Sequence, residues 1–169
     1  MLLTISESTI EIILSSVVVF IAGVVLLFWY KASGVKIIMH NFRKKYAGFD
    51  RIIEKKNKFY ALKDGIEYEL VFFFPTTNYE LILNSFLIWD VRKNGSTRLI
   101  HMEDKLSSST RKIVLVYGTS IKIKRYINEN EMEFLEPDKL LEGQTYVMKQ
   151  EEFDSFIGFI PPLDENGNT

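Results

Sequence analysis

The chain has no cysteine, which removes disulfides, thiol nucleophiles and cysteine metal sites at once. It has two histidines, His40 and His101, 61 residues apart. A zinc site needs three or four ligands at suitable spacing, and this pair would need carboxylates to complete one. Nothing matches GxxxxGK[ST] or GxGxxG, so a glycine-rich phosphate cradle is absent. No nucleophile elbow surrounds Ser107, Ser108 and Ser109, which read as a polar loop. No internal repeat and no low-complexity stretch is present. The most conspicuous absence is of charge: Ile12 to Tyr30, IILSSVVVFIAGVVLLFWY, holds none in 19 residues.

A helix over that run would extend about 28 Å, close to the ~30 Å hydrocarbon core of a bilayer. The sequence therefore predicts a single N-terminal transmembrane helix. A cleaved signal peptide fits less well. The charged side chains before the run are Glu7 and Glu11 alone, the run is too long, and Lys-Ala-Ser-Gly at 31–34 is a poor cleavage site. Cations follow the run at Lys31, Lys36, Arg43, Lys44 and Lys45, and none precedes it. The positive-inside rule then puts the N-terminus outside and the rest in the cytoplasm, with Trp29 and Tyr30 at the interface. Ser15 and Ala22 are seven apart, as are Ser16 and Gly23, so these small residues share a face open to helix–helix contact.

After Gly34, the residues Val35, Ile38, Met39, Phe42 and Tyr46 fall on one helical face, with cations elsewhere. A basic amphipathic helix of this kind suits anionic lipid headgroups. Residues 31–63 carry ten Lys and Arg against two acids, a net of +8, whereas 128–169 net −9. No RNA- or DNA-binding signature accompanies the basic block, which argues against nucleic acid.

From Lys58 the hydrophobic period shortens to two. Asp64-Gly65 and Asn94-Gly95 each separate two strand-like runs, the signal of a type I′ hairpin. Ile66, Tyr68, Leu70, Phe72 and Phe74 share one face, and Glu67 and Glu69 the other. Two runs flank Gly118, and MEFLE and TYVM are short strands; EEFDSFIGF fits a strand or a short helix. The expectation is a mainly antiparallel β domain, a sandwich or small barrel of about seven or eight strands. It occupies residues 58–162, after an N-terminal flank (1–11), the span (12–30) and a basic amphipathic segment (31–57), and before a disordered tail (163–169).

A hydrophobic content of 47% with 14% aromatics suits a packed domain. Candidate chemistry is sparse. The acid pairs Glu67/Glu69 and Glu131/Glu133 read as solvated strand faces, and Asp90, after Trp89, is the carboxylate expected to be partly buried. Asn94-Gly95-Ser96 is also a glycosylation sequon, relevant only if the domain faces outward. No catalytic, cofactor or metal residue is assigned. The expected function is a non-enzymatic, single-pass membrane protein whose β domain serves as an interaction or assembly module of a larger complex. Two alternatives stand beside it: an extracytoplasmic β-sandwich subunit of an envelope or surface appendage, and a carboxylate enzyme built on Asp90 and His101.

Overall fold

A computed structural model describes residues 7–75, 79–107, 110–118 and 121–160; the side chains of 7–13 and 27–33 lie outside that description. The chain divides into two compact units, residues 1–48 and 49–169.

The first unit is one helix, α1, Glu7–Lys45. It runs unbroken through the apolar run and the first part of the basic segment, to Lys45; the rest of that segment leaves the helix and enters the first strand. Four residues of the expected face are the less exposed ones there: Ile38 and Met39 are half-buried and Phe42 and Tyr46 buried, whereas Val35 and the off-face Ile37 are exposed. Phe42 and Tyr46 pair ring to ring with centroids 4.5 Å apart.

The expected membrane span is corrected. Among the described residues no helix is long and apolar enough to cross a membrane. Beyond its apolar run, α1 carries Lys36, His40 and the Arg43–Lys45 cations. The single-pass membrane description is withdrawn with the span.

The second unit is β-rich and mainly antiparallel, as expected, but among the described residues it holds ten strands rather than seven or eight, in two mixed sheets with five antiparallel and three parallel pairings. The strands are β1 Ile52–Lys55, β2 Lys58–Lys63, β3 Ile66–Phe73, β4 Glu80–Leu83, β5 Ile88–Lys93, β6 Ser96–His101, β7 Lys112–Val116, β8 Lys122–Tyr126, β9 Met132–Phe134 and β10 Thr145–Lys149. Short helices α2, Glu103–Leu106, and α3, Phe153–Ile157, complete it. The ambiguous EEFDSFIGF segment thus supplies a helix. The expected tail, 163–169, lies outside the described residues.

The order is β1-β2-β3-β7-β10 in the first sheet and β6-β5-β4-β8-β9 in the second. Hairpins close through positive-φ pairs at Asp64-Gly65 and Asn94-Gly95, as expected, and also at Lys56-Asn57. Two arches, β3 to β4 and β7 to β8, cross between the sheets. They stack in parallel on both sides: Glu69 to Phe73 align with Lys112 to Val116, and Glu80 to Leu83 with Lys122 to Arg125.

Between the sheets lies a core of Phe73, Leu81, Trp89, Val114, Val116 and Val147 with Met102 and Leu106 at its margin. Trp89 meets Phe73 edge to face and donates its indole N–H to the Phe86 carbonyl at 3.1 Å. The outward face of the first sheet is buried too, at Phe59, Ala61, Leu70, Ile113, Leu115 and Met148. α3 packs near that face, with Phe156 against Tyr146. Its terminal carbonyls accept hydrogen bonds from Arg51 and Lys63, cations placed where a helix C-terminus favours them.

Candidate interaction site

Three features of the surface and interior carry functional information. The first is α1. Every described side chain from Leu14 to Leu26 is exposed except Val24, which is half-exposed. Val19 is 71% and Phe20 73% accessible. Ser15, Ser16, Ala22 and Gly23 lie in this stretch, and a Cβ added at Gly23 would meet nothing within 4 Å. Lys36, Arg43, Lys44 and Lys45 are exposed further along. The side chains of Trp29, Tyr30 and Lys31 lie outside the described residues.

The second feature is a groove at one end of the sandwich, where the β4–β5 turn, the end of β8 and the turn before β10 converge. It encloses about 290 Å³ between Asn84, Phe86, Tyr126, Leu141 and Glu142, and a shallower lobe continues past Asn128 and Glu129. Its wall depends on glycine. Gly143 sits at φ +64°, and a Cβ there would come within 2.7 Å of the Phe86 ring. Arg125 also lines the groove, but its guanidinium donates to Glu133, which also accepts from Lys139. Those two cations hold the Glu133 carboxyl below its usual range, Lys139 contributing most. Among the described residues neither Glu129 nor Glu142 is paired with a cation, so the groove keeps two uncompensated carboxylates.

The third feature is a polar row on the inward face of the first sheet. Tyr60, Glu69, Lys112 and Thr145 stand abreast across β2, β3, β7 and β10. Lys112 is 1% exposed. Its ammonium donates to Thr110 Oγ1 at 2.8 Å and faces Glu69 Oε2 at 3.3 Å, while Lys58 reaches Glu69 Oε1 at 2.6 Å. Burial pushes the Glu69 carboxyl up, but hydrogen bonds from Lys58, Thr110 and Lys112 and the Lys112 charge outweigh it, and the net direction is down.

Glu69 is therefore no solvated strand residue, contrary to the sequence reading. Glu67 is, paired with exposed Lys55 at 2.7 Å. Asp90 is buried as expected and faces Arg92 at 3.6 Å, which also donates to Tyr126. His101 lies on the same face of the second sheet as Asp90, through the Ile88–His101 and Asp90–Leu99 pairings, but its Nδ1 faces Glu103 at 3.4 Å. His40 is exposed on α1. Among the described residues no group of three or more His, Asp or Glu could hold a metal ion. Asn94 is exposed at the β5–β6 turn. Of the expected serine loop, Ser107 is described and exposed, and Ser108 and Ser109 lie outside the described residues.

No family model, no curated protein and no solved structure matches this chain.

Proposed function

We propose that this chain is a non-catalytic assembly subunit, whose helix α1 is buried by partner protein in a larger complex and whose β domain is the rigid module that complex presents or docks. The observation that carries this reading is the continuous exposure of Leu14 to Leu26. An apolar surface of this extent is a site of association, because leaving it in water is unfavourable by ~25 cal/mol per Å². The helix is apolar on all sides over this stretch, a pattern suited to burial by more than one neighbour. The small face of Ser15, Ser16, Ala22 and Gly23 allows one of them close approach. The exposed cations at the end of α1 suit an anionic surface, headgroup phosphates included. In the β domain the strongest charge clusters are spent on internal pairs, which supports a structural rather than a catalytic reading.

The test is the protein mass of the particle recovered with the full chain in mild detergent. A particle heavier than one 19.7 kDa chain, falling to that mass with Val18→Glu or Phe20→Glu, is expected. A single chain from the start would refute the reading.

The exposed sequon favours a second reading, an extracytoplasmic subunit of an envelope or appendage. A glycan on Asn94 by mass spectrometry would decide for it.

A further inference from the structure

Resting on the assembly-subunit reading, we infer that the groove between Phe86, Tyr126 and Glu142 is a docking site for a basic segment of a partner protein, and that it seats a lysine or arginine side chain.

The groove has the dimensions and lining of a side-chain pocket. Its 290 Å³ lies at the lower end of the range for small-ligand sites. Phe86 and Leu141 offer apolar surface to an aliphatic stem, and long cationic side chains bury their stems while keeping the head polar. Phe86 and Tyr126 line the groove with aromatic rings, a side-chain type that attracts cations. At the mouth the charge is of one sign. Arg125 is held on Glu133, which it shares with Lys139, so an incoming cation meets Glu142 and, in the adjoining lobe, Glu129, while the Arg125 guanidinium is turned to its own carboxylate. An anionic segment would face both carboxylates and gain no free cation in exchange. Asn84, which lines both lobes, supplies an amide group able to bond the backbone of an extended segment lying along them.

The wall is preorganised. Gly143 lets Phe86 lie directly on the backbone of the turn, and Leu141 pairs with Thr145 across that turn. A rigid pocket lowers the ordering cost of binding. Complementary charge at its mouth acts mainly on encounter and on the choice of partner.

The experiment titrates the full chain with the peptide acetyl-Gly-Arg-Gly-Arg-Gly-amide at low salt and follows backbone amide shifts by NMR. The largest shifts are expected at residues 84–87, 126–129 and 141–144. Glu142→Gln and Glu129→Gln, both surface changes that leave the fold intact, should each weaken binding about two- to fivefold, the range for exposed ion pairs. Added salt should weaken it further. The matching Gly-Glu peptide should not bind. Equal binding of the Glu peptide, unchanged affinity in Glu142→Gln, or shifts as large at Glu151, Glu152 and Asp154 would each overturn the proposal. If the peptide fails while the native particle keeps its mass, the groove assignment alone falls. If the particle is a single chain, the subunit reading falls as well.

Discussion

Replacing Glu69 by alanine should be among the most damaging single changes in the β domain. The carboxylate faces the ammonium of Lys112 at 3.3 Å, inside a sheet where Lys112 is 1% exposed. At that separation and an effective dielectric of 20 the gross attraction is about 5 kcal/mol. Much of it offsets the desolvation of the two ions. Removing one partner leaves the other buried charge uncompensated, at a measured cost of about 3–5 kcal/mol in comparable pairs. Set against a typical stability of about 5–15 kcal/mol, Glu69→Ala should remove roughly a fifth or more of it. Glu69→Gln keeps an acceptor near Lys112 and should cost less, about 1.5–3 kcal/mol. Lys112→Met should be milder than Glu69→Ala, because Glu69 retains Lys58 at 2.6 Å and Thr110 at 3.1 Å. A Glu69→Leu, Lys112→Met double variant should recover at least half the Glu69→Ala loss, since apolar replacement of a whole buried pair is often neutral. Urea unfolding of the full chain, followed by fluorescence of buried Trp89, reads all four. A Glu69→Ala loss under ~1 kcal/mol, or a double variant weaker than either single one, would refute the reasoning.

Other expectations are narrower. Because the folded Glu69 carboxyl lies below its ordinary 4.5, its stabilisation is complete above that pH and is lost as the pH falls through the lower folded value; Glu69→Gln should flatten this acid limb in pH-dependent unfolding. Gly143→Ala should cost about 1–3 kcal/mol, because φ is +64° and the new Cβ meets Phe86. It should also raise amide exchange in the groove, and unchanged melting would argue against the tight wall. Arg51→Met removes a 2.7 Å hydrogen bond to the Ile157 carbonyl and should cost about 1 kcal/mol, seen as faster amide exchange across α3.

The parts of the fold legible in the sequence were those set by neighbouring residues. Asp64-Gly65 and Asn94-Gly95 announce their turns because glycine accepts the positive φ a type I′ turn requires. Lys56-Asn57 makes the same turn without glycine, and β1 was read as part of the basic segment before the domain. Parallel pairing was invisible for another reason: β3 meets β7 and β4 meets β8 only after long excursions, and no local pattern encodes the match. The misreading of Glu69 has a specific cause. Its face also carries Val71 and Phe73, both turned toward the core, so the alternation in β3 separates two buried faces rather than core from solvent. Lys112, just before the apolar run Ile113 to Val116, carried the same hint. For α1 the apolar run was read correctly as helix but not as a span. The groove could not be foreseen, because its walls come from three separated turns. Burial of Asp90 beside Trp89 was foreseen from its apolar strand.

The absence of cysteine allows the central claim to be tested directly. Single cysteines placed at Val17, Val19, Phe20 and Val25 would be labelled with a water-soluble maleimide in the native particle and again after dissociation. Burial of α1 by a partner predicts protection of all four sites in the intact particle and rapid labelling once it is taken apart. Equal labelling in both states would contradict the account.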